Sequence, residues 1–174
     1  EMTITKNDII NSHKRIEPYI HRTPIYTSTS IDNKAECKVY FKSENLQKAG
    51  AFKIRGAMNA TLQIPKENLK NGIATHSSGN HAQAIALAAR LLNTKAYVVM
   101  PSNSPIVKIN AVKEYGAEIT FCEPNLKARE DTIEDIIKRT GAEFIHPFND
   151  ERIIAGQASC AKEFIEEIPD LDII

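Results

Sequence analysis

Residues 72–101 read GIATHSSGNHAQAIALAARLLNTKAYVVMP and contain one complete strand–helix–strand unit. The apolar run at 72–77 predicts a strand, the Ala- and Leu-rich run at 80–93 a helix, and the run at 95–101 a second strand. Both strands are apolar along their length, which is typical of strands covered on both faces of a parallel sheet. The stretch therefore predicts an α/β fold.

The same alternation continues on both sides of this unit. Downstream, the pattern predicts a helix at 105–116, a strand at 117–123, a helix at 125–141, a strand at 142–147 and a helix at 149–168. Upstream, it predicts a capped amphipathic helix near 6–17, an extended segment at 22–30 and a strand at 38–44. Strands that alternate with helices in this way indicate a parallel sheet with helices on both faces.

The last residues, LDII at 171–174, resemble the beginning of an apolar strand. Because α/β domains rarely end inside such a strand, we expect the sequence to be part of a longer protein. The alternative is a short terminal edge strand.

Charge and hydropathy exclude several classes of partner. The 174 residues are 42% hydrophobic, and 22 Lys and Arg residues balance 22 Asp and Glu residues. This balance argues against binding to nucleic acid or to an anionic membrane surface. The most apolar segment, 84–92, is too short to cross a bilayer and contains Arg90.

The cysteines and the first residues bear on the compartment. Cys37, Cys122 and Cys160 are odd in number and far apart, so they indicate neither a disulfide framework nor a metal site. The first ten residues lack the cationic start and apolar stretch of a secretory signal. We therefore expect a cytoplasmic protein without a bound metal at these positions.

Residues 77–80, SSGN, lie where the first predicted strand meets its helix. Such a turn offers backbone N–H groups, hydroxyls and the positive end of the helix dipole to an anion. Its sequence matches neither a GxxxxGK phosphate loop nor a GxGxxG fingerprint. The alternative is that Ser78 and Asn80 only cap the helix and Gly79 makes the turn.

A second motif, KAGAFKIRGA at 48–57, places Lys53 at a predicted helix start. Read together, FKIRGA and SSGNHAQ resemble the fold-type II pyridoxal-phosphate enzymes, and more narrowly the serine racemase and serine/threonine dehydratase family. The resemblance also runs through the segments at 22–28, 98–119 and 145–157. It implies a three-layer α/β architecture like that of the tryptophan synthase β chain, here in incomplete form.

The resemblance also implies a division into domains. Residues 1–71 would form the first part of a large cofactor domain and residues 72–149 a small domain with an open parallel sheet. Residues 150–174 would return into the large domain and leave it incomplete. The family's glycine-rich phosphate loop follows the strand expected at LDII, so we expect this polypeptide alone to bind the cofactor weakly and to be nearly inactive.

The resemblance assigns the cofactor contacts. The lysine matching Lys53 forms the Schiff base with pyridoxal 5'-phosphate, the aromatic residue matching Phe52 packs on the cofactor ring, and Asn80 should donate to the phenolic oxygen. A nucleophilic amine must be deprotonated near neutral pH, and burial beside an apolar ring favours that state. A solvated lysine at a helix start, the alternative, would leave Phe52 and the glycines unexplained.

The substrate residues implied by the resemblance surround the turn. The set that should hold the α-carboxylate is Ser77, Ser78, Gly79, Asn80 and His81. Arg129 matches an arginine that approaches substrate carboxylates in racemases of this group. Its alternative is a helix-surface arginine paired with Glu130 or Asp131.

The implied substrate is a small amino acid such as serine, threonine or hydroxyaspartate. Lys53 would remove the α-proton, and either racemisation or β-elimination of water to a 2-oxo acid and ammonia would follow. Racemisation needs a second proton carrier on the opposite face, for which Ser78 matches the racemase serine. One alternative is a threonine or hydroxyaspartate dehydratase without racemase activity, and another is a non-catalytic binding module.

Three further residues match nucleotide contacts of eukaryotic racemases: Gln83, Lys108 and Tyr115. Lys108 and Tyr115 are seven residues apart on one predicted helix and share a face, which also fits an ordinary helix surface. By the same resemblance, Mg²⁺ and ATP are candidate ligands of the full-length protein, and a homodimer is its expected assembly.

Overall fold

The structure, a computed structural model, describes residues 3–174. In chain order its helices are α1 Lys6–Ile16, α2 Thr29–Ala35, α3 Lys53–Thr61, α4 Lys66–Leu69, α5 Asn80–Leu91, α6 Ile106–Glu114, α7 Leu126–Thr140 and α8 Glu151–Glu167. Its strands are β1 Ile25–Thr27, β2 Tyr40–Lys42, β3 Ile73–His76, β4 Ala96–Pro101, β5 Glu118–Cys122 and β6 Glu143–Phe144.

The central sheet is parallel, with strand order β5-β4-β3-β6. In its register Ile73 of β3 lies beside Ala96 of β4 on one side and Glu143 of β6 on the other. The predicted α/β class and parallel sheet are confirmed. A separate antiparallel pair, β1 with β2, lies outside this sheet.

Helices cover both faces of the central sheet. Val98 and Met100 of β4 pack in an apolar cluster with α5 and α6, whereas Tyr97 and Val99 pack in a second cluster with α7. Successive strand residues point to opposite faces, so a strand that is buried on both faces must be apolar throughout. This requirement explains the unbroken apolar run of β4.

A third helical layer stacks behind α5. Ile16 of α1, Ile54 of α3 and Ile153 of α8 belong to one apolar cluster with Ile73 and Ile85. The predicted boundary between residues 71 and 72 runs through this cluster, and the division into domains stays a prediction. The cluster fixes α3, and with it Lys53, relative to the sheet.

Two glycines allow α3 and α8 to cross closely. A Cβ atom added at Gly156 would lie 2.6 Å from Cα of Gly56 and 2.7 Å from the carbonyl oxygen of Arg55. At this crossing the side-chain Oε1 of Gln157 accepts a hydrogen bond from the Gly56 N–H at 3.0 Å. Glycine has a poor helix propensity. Its place in the middle of α8 is explained by packing, because the close approach of α3 leaves no room for a side chain.

Two segments, one before the central sheet and one at the end of the sequence, differ from the sequence predictions. The extended segment predicted at 22–30 ends at Ser28, because α2 begins at Thr29. The first turn of α2 is closed by hydrogen bonds from the N–H groups of Ile31 and Asp32 to the Ser28 carbonyl. The strand expected at 171–174 is wrong for this structure, since no strand forms there and Ile173 and Ile174 are 86% and 66% exposed. Residues 171–173 line a cleft together with Tyr40 at the start of β2, but within residues 3–174 no ladder joins them to a strand.

We predict that Gly156→Ala lowers the free energy of unfolding by about 1–3 kcal/mol, because the added methyl group meets backbone atoms that cannot move aside. Urea denaturation followed by circular dichroism measures the change. Helix propensity alone would favour alanine by up to about 1 kcal/mol. An unchanged or increased stability would therefore show that the two helices are not in close contact.

Candidate active site

The candidate residues meet at the carboxyl edge of the central sheet. β3 ends at His76, the turn of residues 77–79 follows, and α5 begins at Asn80. β6 ends at Phe144 and leads into residues 145–150, which approach the start of α3. Ligands of open parallel sheets bind at this edge, because the loops that follow the strands converge there.

The turn of residues 77–79 leaves the first N–H groups of α5 without a side-chain cap. Gly79 is the N-cap residue and its N–H donates to Ser77 Oγ at 3.3 Å, while the Ser77 N–H donates to the Val99 carbonyl at 3.0 Å. The alternative that Ser78 or Asn80 caps the helix is therefore wrong for this structure. Uncapped N–H groups at a helix start favour binding of an anion.

Of the three predicted nucleotide contacts, Gln83 and Lys108 lie next to the turn, and the Gln83 backbone N–H donates to the Gly79 carbonyl at 3.3 Å. A Cβ atom added at Gly79 would lie 3.6 Å from Lys108 Nζ, so the ammonium group adds positive charge beside the turn. Helix α6 ends one residue before Tyr115, and that ring packs against an apolar cluster that includes Ile109 and Val112. Gln83 is half-buried on α5. A nucleotide site at these residues stays a prediction.

Lys53 stands at the first position of α3 with its amine half-buried. Its Nζ donates to the carbonyl oxygen of Pro147 at 3.1 Å and lies 5.3 Å from the centre of the Phe52 ring. Burial lowers the pKa of Lys53 from its ordinary value, because a charged ammonium is less well solvated there. Phe52 itself is 41% exposed.

His81 of α5 is a buried imidazole beside Lys53. Its side chain is 3% exposed, and neither ring nitrogen has a hydrogen-bond partner among the residues that the structure describes. Burial, and next the positive charge of Lys53, lower the pKa of His81 to about 3. The ring is therefore neutral near pH 7 and does not compete with Lys53 for an anion.

Arg129 reaches the same edge of the sheet from α7. Its Nε is buried without a hydrogen-bond partner within residues 3–174, and its charge lies close enough to His76 to lower the pKa of that imidazole, after burial and His146. The ion pairs on α7 join other residues, Lys127 to Asp131 and Lys138 to Glu134. The alternative pairing of Arg129 with Glu130 or Asp131 does not occur here.

Sequence reasoning missed an aromatic cluster at this edge. The His76 ring stacks on Phe144 at 5.6 Å, and His146 makes edge contacts with both Phe144 and Phe148, the latter at 4.5 Å. Its Nδ1 accepts from the backbone N–H of Asn149 at 2.8 Å, which leaves Nε2 as the donor in the neutral ring. The available signal was position, since His76 and His146 both lie at the carboxyl ends of strands.

A cleft of about 390 Å³ opens beside Lys53. Its other lining residues are Phe148, Ile153, Ile154, Gln157 and Ala158. Nε2 of Gln157 is buried there without a partner in the described part of the chain. The cleft thus combines an apolar wall with the Lys53 amine, which suits a flat ligand with a polar edge.

The part of the chain that the structure describes contains neither a metal cluster nor a membrane span. Across residues 3–174, no group of three His, Cys, Asp or Glu side chains is arranged to hold a metal ion. None of the described helices has the length and hydropathy needed to cross a bilayer.

Known proteins are similar to this chain in sequence and in fold. Residues 16–174 match a family described as pyridoxal-phosphate dependent enzyme. The chain is 46% identical over 172 residues to serine racemase from Dictyostelium discoideum. The matched region covers 99% of this chain and 53% of that protein. It is 45% identical over 170 residues to β-hydroxyaspartate dehydratase from Paracoccus denitrificans, covering 98% of this chain and 54% of that protein.

The similarity extends to solved structures. Maize serine racemase superposes with a TM-score of 0.94 at 44% identity, over 95% of this chain and 50% of that one. The chain therefore spans about half the length of the curated relatives it matches. These matches confirm the resemblance that the two motifs predicted.

We predict that His81 makes the protein sensitive to acid. Its folded-state pKa of about 3 lies below the ordinary 6.5, so the unfolded state binds the proton more readily between these values. Its contribution to stability is complete above pH 6.5 and decreases as the pH falls towards 3, by at most about 1.4 kcal/mol per pH unit.

Urea unfolding across this interval should show a shallower pH dependence for His81→Gln than for the unchanged protein. His21→Gln, at an exposed position, is the control and should keep the original dependence. Equal slopes for His81→Gln and the unchanged protein would contradict a buried neutral His81.

Proposed function

Because this chain belongs to the family of pyridoxal-phosphate dependent enzymes, we propose that Lys53 carries pyridoxal 5'-phosphate in a serine racemase/dehydratase-like enzyme. The complete protein would act on the α-carbon of small hydroxy amino acids, by racemisation, by loss of water, or by both. The observation that carries this proposal is the half-buried amine of Lys53, whose pKa is lowered by burial and which opens onto a cleft.

The residues around Lys53 fit such a cofactor. An aldehyde requires a primary amine that is neutral for part of the time, and burial of Lys53 favours its neutral form. The exposed ring of Phe52 supplies an apolar face on which an aromatic ring can pack. Asn80, exposed at the start of α5, is the proposed donor to the phenolic oxygen.

The bound cofactor would supply an electron sink that makes the α-proton of an amino acid acidic. The protein's own contribution begins with binding of the α-carboxylate. The uncapped N–H groups at the start of α5, together with the turn of Ser77, Ser78 and Gly79, offer donors without a competing side chain. Because His81 is neutral near pH 7, it does not add an acidic imidazolium beside the bound carboxylate.

Lys53 is proposed to remove the α-proton on one face of the substrate. Its amine has one hydrogen bond to the described chain, to the Pro147 carbonyl, so it is free to exchange this partner for a substrate proton. Ser78 is proposed to serve the opposite face. Ser78 is half-buried in the turn. It lies between Ser77 and Gly79, which are proposed to donate hydrogen bonds to the substrate carboxylate.

Arg129 favours a second candidate function, dehydration of 3-hydroxyaspartate. Arg129 is half-buried, and its buried Nε is a donor that lacks a partner within the described residues. A buried donor without a partner is costly unless a ligand supplies an acceptor. A substrate with a second carboxylate would provide that acceptor. One relative that is 45% identical is named β-hydroxyaspartate dehydratase, and this agrees with such a substrate.

The remaining parts of the proposal concern the complete protein. We propose a homodimer, a cytoplasmic location, and regulation by Mg²⁺ and by ATP bound near Gln83, Lys108 and Tyr115. The position of Lys108 beside Gly79 supports an anion site next to the turn. We also propose the division into a large domain of residues 1–71 and 150–174 and a small domain of residues 72–149.

We predict that, in the complete protein, pyridoxal 5'-phosphate followed by borohydride reduction labels Lys53 selectively, since its amine is more often neutral than that of a solvated lysine. Peptide mass mapping locates the label. Lys53→Arg should abolish this labelling, whereas Lys48→Arg, in the same loop, should retain it. Labelling of another side chain, or of none, would instead support a binding module without catalysis.

We predict that Ser78→Ala in the complete protein abolishes conversion of L-serine to D-serine and spares formation of the 2-oxo acid, because only racemisation needs a proton donor on the second face. Chiral chromatography and a 2-oxo acid assay measure the two products. Ser77→Ala is the matched control and should weaken both reactions together, since its Oγ supports the turn at Gly79. Survival of racemisation in Ser78→Ala would exclude Ser78 as the second proton carrier.

A further inference from the structure

Lys53 and Phe52 lie at the end of a loop whose backbone is locally unfavourable. We define the 44–55 loop as the residues from Glu44 to Arg55, which include two short 3₁₀ turns and the start of α3. Within it Ala49 and Gly50 have φ values of 59° and 66°. Alanine adopts this left-handed conformation only at a cost of about 1–2 kcal/mol. The path of the loop is therefore held by contacts elsewhere.

Arg55 and Glu44 close this loop with a bidentate ion pair. Arg55 Nε donates to Glu44 Oε2 and Nη2 donates to Glu44 Oε1, both at 2.8 Å. The Arg55 side chain is 0% exposed, so this pair is screened little by solvent. A bidentate pair fixes both distance and orientation, which a single contact does not do.

The same guanidinium group ties the loop to α8. Nη1 and Nη2 of Arg55 donate to the two carboxylate oxygens of Glu163, each at 2.9 Å, and Nη1 also donates to Ser159 Oγ at 3.2 Å. Together with the two bonds to Glu44, these contacts use all five N–H donors of the guanidinium group. No other side chain has this donor geometry.

The charges of this cluster balance within the protein. Glu163 is 1% exposed and also contacts Lys42 Nζ and His13 Nε2, each at 2.9 Å. Arg55 faces Glu44 and Glu163, and Lys42 faces Glu163 and, at 3.2 Å, Glu167. Glu167 also pairs with Arg22, so three cations face three carboxylates. Hydrogen bonds from His13, Arg55 and Lys42 hold the pKa of Glu163 well below its usual range despite burial.

We propose that Arg55 is a positioning residue, which clamps the 44–55 loop through Glu44 and Glu163 so that the Lys53 amine is held in its half-buried position. This inference rests on the proposed function of Lys53. The contacts of Lys53 itself are weak by comparison, a single hydrogen bond to Pro147 and a helix start without a side-chain cap. Arg55 is two positions after Lys53 in α3, so the two side chains leave the first turn of the helix on opposite sides.

The test measures the amine of Lys53 directly, without cofactor or substrate. Competitive acylation with acetic anhydride over a range of pH, followed by peptide mass mapping, yields the pKa and reactivity of each lysine. The imidazoles flanking Lys53 are His81 of α5 and His146, adjacent to Pro147, and burial is the cause of its lowered pKa. Release of the clamp should expose the amine and raise its pKa towards 10.5.

The variants are Arg55→Lys, which keeps the charge and loses the fork, and Glu44→Gln, which weakens the loop closure and leaves Glu163 in place. A rise of about half a pH unit would lower the neutral fraction of Lys53 at pH 8 about threefold. Arg152→Gln is the matched control, because Arg152 is a half-buried cation on α8 that pairs with Asp150 and Glu143 away from the loop. It should lower thermal stability and leave the Lys53 titration unchanged.

A shifted Lys53 titration in Glu44→Gln or Arg55→Lys, with none in Arg152→Gln, supports the clamp. Reduced stability with an unshifted Lys53 titration overturns it and leaves Arg55 with a structural role only. If Arg55→Lys does not fold, Glu44→Gln alone decides. Failure of the cofactor to label Lys53 would contradict the proposed function and would leave this titration interpretable, so the two failures are distinguishable.

Discussion

The site depends on a cation that has no contact with water. Arg55 is fully buried, and its charge is tolerated only because Glu44 and Glu163 accept all but one of its hydrogen bonds. A buried ion pair contributes little net stability compared with well-packed apolar residues, but removal of one partner costs about 3–5 kcal/mol. Both carboxylates must therefore be in place for the buried charge of Arg55 to be tolerated. The pair joins the 44–55 loop to α8 and leaves only one position for the first turn of α3.

This position brings Lys53 to the one edge of the sheet where anions are favoured. The uncapped start of α5, the ammonium of Lys108 and the guanidinium of Arg129 all contribute positive potential there. Burial acts in the opposite sense on Lys53 and His81, because it disfavours their charged forms. The result is a lysine whose charged form is disfavoured and a neutral imidazole, both lying among fixed positive groups that favour an anionic ligand.

Prediction from the sequence succeeded where one physical rule dominates. Apolar runs of β3 and β4 alternate with helical periodicity, and burial of both sheet faces allows little else, so the α/β class was predictable. The motifs around Lys53 and residues 77–83 predicted the family. The helix α2 was missed because its short sequence has weak propensity and is held by backbone bonds to Ser28. The segment 171–174 has strand propensity, but a strand forms only beside a partner.

The sequence by itself determined the alternation of strands and helices along the chain and the parallel sheet, because these follow from local periodicity. The candidate role of Lys53 came from the resemblance of its motif to a known family. Only the tertiary structure decided which distant side chains meet. Glu44, Arg55 and Glu163 form one cluster although 119 positions separate the first from the last, and His76 joins His146 across two strands. The ion-pair cluster depends on how α3 and α8 cross at Gly56 and Gly156, and the histidine contact depends on the pairing of β3 with β6. No local pattern of residues encodes either long-range constraint.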